Sequence, residues 1–351
     1  MKSSHLLCLG LFYALFAFVS TLSAQTTAAD FAASAKAKYS NGDFDGAIAD
    51  YDKAIELNPG FTSAYGNRGD AKKAKGEFDS AISDYNKAIE LMPGFAWAYF
   101  IRGNAKQSKG DFAGAITDFN RAIELIPNDA MAFSNRGLAK YSNGDFDGAV
   151  SDCNKAIELN PRLANAYGNR GIAEKAKGDL DGAITDFDKV IELNPNLSNA
   201  YFTRGNAKQI KGDFDGAAAD YAKFIKVAPN TADYARFNLA LTLRRQHRDD
   251  APAALAKVIA TWKDGWIKSI GLYLTGSLAE SDFLSQTALG EAKTVREHYC
   301  EAYYYVGMTH LLANKTAIAQ NFFEKCLATN VTAFEEFQLA RAELARLSAK
   351  Q

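Results

Sequence analysis

An all-α solenoid of stacked helical units is the fold that this 351-residue sequence predicts, and three observations predict it. Gly42, Gly76, Gly110, Gly144, Gly178 and Gly212 recur every 34 residues. Pro59, Pro93, Pro127, Pro161, Pro195 and Pro229 keep the same step. A fixed period of this length marks stacked units, each a supersecondary element that buries its apolar face only against its neighbours. The third observation is the punctuation. The glycine of each "GDF" or its near copy suits a left-handed residue ending the first helix of a hairpin, the next Asp can cap the second helix, and the proline after "IELNP" stops it.

The N-terminus reads differently from the rest. Lys2, the apolar run "LLCLGLFYALFAFV" and then "STLSAQ" with small Ser23 and Ala24 have the pattern of a secretory signal peptide, residues 1–24, cleaved near Ala24. A retained anchor is the competing reading, and Cys8 has no lipoprotein box before it. After processing no integral membrane span is expected.

The Asp-rich turns invite a metal reading that spacing rejects. Counted from Asp43, the fifth, sixth and twelfth positions of a calcium loop fall on Ala47, Ile48 and Ala54, so too few oxygens converge. Asp43 and Asp45 serve a helix start instead, and no metal is expected.

The second unit, "TSAYGNRGDAKKAKGEFDSAISDYNKAIELMPGF", carries aromatic Tyr65, small Gly69, Ala81 and Ala88, aromatic Tyr85 and Pro93. With these residues the chain resembles the tetratricopeptide repeat family, over Ala28 to Thr231 in six units: 28–61, 62–95, 96–129, 130–163, 164–197 and 198–231. Small residues let paired helices approach and aromatics fill the space between pairs. The resemblance implies a right-handed superhelical α-solenoid whose concave groove is lined by helix A of each unit.

A second period of 102 residues lies over the first. "KYSNGDFDGA" at Lys38 returns at Lys140, "AYGNRG" at Ala64 returns at Ala166, and "RGNAKQ" at Arg102 returns at Arg204. Units four to six therefore look like a copy of units one to three, and groove chemistry should occur twice.

Residues 232–351 keep helical patterning but lose the strict period. "DYARFNLALTLRRQH" and "APAALAKVIATWK" read as a degenerate seventh hairpin, and "WIKSIGLYLTGSL" as a further helix. "CEAYYYVGMTHLLANKTAIAQNFFEKCLATN" regains the repeat frame with Gly307, Ala319, Phe323 and Cys326, and "FEEFQLARAELARL" is an amphipathic helix suited to cover the end of the stack. On "LYLTGSL", "EAYYYVGMTHLLANKTAIAQNFFEKCLATNV" and that closing helix, this region is similar to bacterial envelope adaptor lipoproteins of the new lipoprotein I type. That likeness implies a scaffold gathering cell-wall hydrolases and proteases, although the lipidated cysteine is missing here.

With 40 basic and 41 acidic residues, no global field draws nucleic acid or an anionic membrane. Cys153 reads as a buried small hydrophobe; Cys300 and Cys326 could bridge, with free thiols the favoured reading. The four histidines, His5, His247, His298 and His310, belong to no zinc or nucleophile motif, and no phosphate-cradling loop occurs. A non-enzyme without cofactor is expected; the rival is a cell-wall-related enzyme with a site within 290–325, built from groups such as Glu297, His298 and His310.

One arginine per unit, Arg68, Arg102, Arg136, Arg170 and Arg204, recurs beside Asp50, Asp84, Asp118, Asp152, Asp186 and Asp220. Equal recurrence of both signs favours an ion-pair ladder that sets the stacking register over a ladder for acidic peptides or phosphates. Ser34 replaces the arginine of the first unit, which leaves Asp50 free to meet Arg68.

The family places its ligand on the second, fifth, ninth and twelfth positions of helix A, which share one face. The candidate groove residues are Lys73, Trp97, Phe100, Asn104, Gln107, Tyr141, Lys175, Phe202, Asn206 and Gln209. Rings can hold partner side chains and amides its backbone. Met131 and Leu138 share the face, with packing against neighbouring helices as the other reading. Ala32, Gly66, Phe100, Ser134, Gly168 and Phe202 occupy the fifth position, so the family's lysine clamp for a terminal carboxylate is not expected. The expected function is a non-enzymatic protein-binding scaffold, exported to the periplasm or secreted, with self-assembly through the C-terminal hairpins into a homodimer as the alternative.

Overall fold

The computed structural model of the protein describes residues 27–248, 251–332 and 334–349. The expected signal peptide lies outside the described residues. Among them, every regular element is helical, and the chain divides into two compact units, one ending at Gly144 and the other beginning at Asp145.

The first unit contains α1 (Ala28–Ser40), α2 (Phe44–Leu57), α3 (Thr62–Ala74), α4 (Phe78–Leu91), α5 (Ala96–Lys109), α6 (Phe112–Leu125) and α7 (Ala130–Ser142). Within each hairpin the reversal is made as the punctuation predicts. Gly42, Gly76 and Gly110 adopt φ of 80°, 82° and 88°, a region costly for residues with a Cβ. Asp43 and Asp111 then accept the backbone N–H of Gly46 and Gly114, both at 2.9 Å, which satisfies an orphan donor of the next helix. Glu77 holds the same place in the second repeat and makes no such cap.

Helix pairs close onto small residues. Ala64, Ala71, Ala81 and Ala88 are fully buried, and a Cβ added to Gly69 would stand 2.5 Å from the Tyr85 ring. Gly69→Val is therefore expected to destabilise the first unit by about 1–3 kcal/mol through overpacking, despite its better helix propensity. A urea titration followed by circular dichroism checks this, and an unchanged midpoint would refute the close approach as a constraint.

The second unit continues with α8 (Phe146–Leu159), α9 (Ala164–Lys177), α10 (Leu180–Leu193), α11 (Ser198–Lys211) and α12 (Phe214–Val227). After a 3-10 turn at Pro229–Thr231 come α13 (Asp233–Arg245), α14 (Ala251–Ile259), α15 (Trp266–Leu274) and α16 (Glu280–Gln286). The chain ends with α17 (Ala292–Leu312), α18 (Thr316–Ala328) and α19 (Glu335–Ser348). Helices α17 and α18 form a repeat-like hairpin, with Asn314 at φ 59° in the glycine place and the Phe323 ring over Gly307. Phe237, Ile259, Ile270, Phe283, Tyr304, Tyr305 and Phe323 build the large C-terminal core.

Helix α19 corrects one expectation. It does not simply close the end of the stack: it packs on α18 and α17 and also folds back onto α11, the first helix of the sixth repeat. The thiols of Cys300 and Cys326 are buried and free, with their Sγ atoms 3.5 Å apart. Cys153 is also free, and burial pushes its thiol up to about 12.

Candidate peptide-binding site

The arginine ladder is consumed by the fold. Arg102 grips Asp118 of its own repeat with Nε at 2.9 Å and Nη2 at 2.6 Å, while Nη1 donates to Asn86 Oδ1 of the preceding repeat at 2.6 Å. Arg170 repeats this with Asp186 at 2.8 and 2.6 Å and Asn154 at 2.6 Å. Arg68 engages Asp84 and Asp52, and Arg204 engages Asp220 and Asp188. Arg136 donates to Asn120 Oδ1 at 2.8 Å, and Asp152 is buried. Each arginine also lies over an aromatic ring, Arg68 over Tyr65 at 5.5 Å for example, so its planar fork and its face are both engaged.

Two details differ from the sequence reading. Asp50 does not wait for Arg68: Ser34 Oγ donates to it at 2.7 Å and Lys38 Nζ reaches it at 2.6 Å, so its charge is met within its own repeat. The third arm of each arginine, onto Asp52, Asn86, Asn120, Asn154 or Asp188, is not part of the ladder expected from the sequence. Its signal is an Asp or Asn two residues after each of the first five ladder aspartates, Asp50 to Asp186.

Lys38, Lys72, Lys106, Lys140 and Lys208 share one position of the repeat, and the fifth repeat carries Glu174 there. Lys72, Lys106 and Lys208 reach Asp84, Asp118 and Asp220 at 2.8 to 2.9 Å. Glu174 instead adds a second carboxylate beside Asp186. Burial and then Asp186 push its carboxyl up to about 7.

The first unit presents an amide-lined cleft. Asn135 Nδ2 donates to Asn104 Oδ1 at 2.8 Å, and Gln107 lies beside them with its Oε1 buried and no protein donor in reach. With Ser108, Phe112, Leu138 and Ser142 these residues line an open space of about 510 Å³. Trp97 packs over Gly66 and beside Phe95, whose ring is 5.4 Å away, and Phe100 leans on Phe119 at 5.9 Å. Both candidate aromatics are half-buried, and Tyr141 is half-buried as well. Lys73 pairs with Asp70 at 3.1 Å. Met131 is 54% exposed, against the packing alternative, and Leu138 lines the cleft. Asn135, at the sixth repeat position, was outside the predicted face.

In the second unit three of the proposed groove residues, Lys175, Asn206 and Gln209, are taken up by the chain itself, while Phe202 stays half-buried as Phe100 does. Lys175 Nζ is paired with Glu335 Oε1 at 2.6 Å and is 9% exposed. Asn206 and Gln209 are buried, with the Tyr221 hydroxyl 2.7 Å from Asn206 Oδ1 and 2.6 Å from Gln209 Oε1. Gln209 Nε2 donates to the Tyr304 hydroxyl at 3.2 Å. Arg346 Nη2 donates to the carbonyls of Gln209 and Ile210, as suits a cation at the C-terminal end of α11. Phe202 packs on Phe224 with ring centres 5.4 Å apart. The chain's own α17 and α19 thus cover the α11 end of this face.

The groups considered for catalysis do not converge. His298 and His310 are twelve residues apart on α17, or about 18 Å at the helical rise. His298 stacks on Trp266 at 4.2 Å, and burial lowers its pKa. His310 Nε2 lies 2.9 Å from Glu280 Oε2. Among the described residues no three His, Cys, Asp or Glu side chains gather as a metal site, and no helix is long and apolar enough to cross a membrane.

Solenoid hairpins with a saturated internal ladder and an open helical face define a repeat protein of the interaction-scaffold class. Family models described as TPR repeat match residues 35–75, 69–110 and 103–144, and those described as tetratricopeptide repeat match 130–163, 164–197 and 198–231. The chain belongs to the tetratricopeptide repeat family. A solved tetratricopeptide repeat protein from Parabacteroides merdae is 19% identical, covering 71% of this chain and 98% of its own, with a TM-score of 0.56. A chain of the APC/C hetero-tetramer Cut9-Hcn1 is 20% identical over 63% of this chain and 44% of its own, also at 0.56. Both share the fold. MamA is 32% identical over 46% of this chain and 94% of its own, with a TM-score of 0.42. Comparison with curated proteins gave no match.

Proposed function

We propose that this protein is an adaptor of the bacterial cell envelope that captures a peptide segment of a partner protein on the helix-A face of its first unit. The observation that carries this reading is the cleft at Asn104, Gln107 and Asn135. It offers amide groups for hydrogen bonding, one of them with an unmet buried acceptor, in a cleft that apolar Phe112 and Leu138 also line, on a helix that carries Trp97 and Phe100 at the same helical spacing. A buried acceptor left unmet costs about 1–3 kcal/mol, so the Gln107 side chain gains from turning to a partner's backbone N–H. The signal-like N-terminus supports the exported setting.

Affinity capture from envelope extract, with the full chain beside an Asn104→Ala/Gln107→Ala double variant, tests the proposal. Partners retained by the parent are expected to fall at least tenfold with the variant. Identical retention by both proteins would remove the cleft from the binding site.

A further inference from the structure

The duplication of 102 residues gives three groups of the first copy a matching counterpart in the second. Asn104 corresponds to Asn206, Gln107 to Gln209 and Lys73 to Lys175. In each copy an asparagine from the next first helix approaches the first amide, Asn135 at 2.8 Å from Asn104 and Asn238 at 3.5 Å from Asn206. The two copies differ in what meets them. In the second, α19 runs from Lys175, which holds Glu335 of its first turn, to the end of α11, whose carbonyls at Gln209 and Ile210 receive Arg346. The helix is anchored further by Glu343, which Arg245 holds with two bonds at 2.8 and 2.7 Å.

The first copy retains this receiving chemistry. Lys73 stands at the end of α3 on a single pair with Asp70, in which its side chain stays 29% exposed. Gln107 and Ser108, the counterparts of Gln209 and Ile210, bring their carbonyls to the end of α5, and both residues line the open cleft. Apolar Leu138 and Phe112 lie in the same cleft.

Resting on the peptide-binding reading of this cleft, we propose that its partner segment is an amphipathic α-helix with the charge order of α19: an acid in the first turn and an arginine about three turns later. The acid pairs with Lys73, which releases Asp70 to the Tyr85 hydroxyl already 2.9 Å from it. The arginine caps the carbonyl end of α5, where the helix dipole favours a cation. The apolar stripe of the ligand covers Leu138 and Phe112, as helix-in-groove recognition requires. An extended peptide would set residues eleven apart on opposite faces and about 36 Å from one another, whereas a helix brings them to one face about 16 Å apart.

A fluorescent peptide carrying residues 332–349 of this chain is the probe, titrated by anisotropy into the full-length protein. Saturable binding is expected, weakened at least tenfold by Asn104→Ala/Gln107→Ala in the protein. A peptide with the charges reversed, Glu335→Lys and Arg346→Glu, is expected to bind at least tenfold more weakly. Binding that ignores the cleft variant would mean exchange into the α11 site and would overturn the proposal. Absence of peptide binding, in a protein whose envelope partners are still lost on Asn104→Ala/Gln107→Ala, would overturn the helical ligand and leave the peptide-binding reading standing. Circular dichroism and the urea midpoint of the variant establish that its fold is retained.

Discussion

Arg170→Met is expected to destabilise the second unit by about 3–5 kcal/mol, the cost of leaving a buried carboxylate without its partner. Asp186 is 2% exposed and receives two bonds from Arg170, while Glu174 stands where most repeats place a lysine. Removing the guanidinium therefore leaves two carboxylates together. Arg102→Met provides the comparison, because Asp118 keeps Lys106 at 2.9 Å and its loss should be smaller by about 1–2 kcal/mol. Glu174→Lys restores the usual pairing and should recover much of the Arg170→Met loss. Urea titrations followed by circular dichroism, with amide exchange in α9 and α10, measure all three. Equal losses for Arg170→Met and Arg102→Met would show that Glu174 does not govern this seam.

The C-terminal region is expected to lose stability as pH rises, on the order of a few kcal/mol between pH 4.5 and 8, at about 1.4 kcal/mol for each tenfold change in proton affinity. Glu336 on α19 is buried, and burial together with Glu301 pushes its carboxyl up to about 8. The Tyr305 hydroxyl donates to Glu336 at 3.0 Å, a lesser, opposing influence. Below about pH 4.5 both folded and unfolded chains hold the proton, so the group adds no slope. Between 4.5 and 8 the unfolded chain releases the proton while the folded chain keeps it, so stability falls; above 8 both are ionised and the slope ends. Glu301, which Tyr234 and Trp266 hydrogen-bond, is raised by burial and acts in the same direction. Trp262 and Trp266 belong to this core, so their fluorescence reports its unfolding. Glu336→Gln keeps the shape and removes the charge; it should match the parent near pH 4.5 and exceed it at pH 8. A variant with the parent's full slope would rule out Glu336 as its source.

Much of the repeat architecture was legible because it is local. The glycine that reverses each hairpin, the aspartate that caps the next helix and the small residues beneath Tyr85 and Phe119 act over a few residues or one helix pair. The arginine ladder was also visible as a recurrence of opposite charges, though its third arm was not. The cleft was half visible: Asn104 and Gln107 fell on the predicted face, whereas Asn135 enters from the next helix and needed the stacking geometry to place it.

The sequence by itself determined the class of this protein, its helical period, its turn chemistry and the internal duplication, because these depend on spacing and on neighbours close along the chain. Only the tertiary structure decided which copy of the duplicated face is open. Lys175 meets Glu335 across 160 residues, and Arg346 meets the carbonyl of Gln209 across 137. No periodic signal encodes such pairs. They arise because α19, amphipathic and charged at both ends, buries its apolar side and satisfies its charges at once against α11, a choice made by packing and desolvation in the assembled fold.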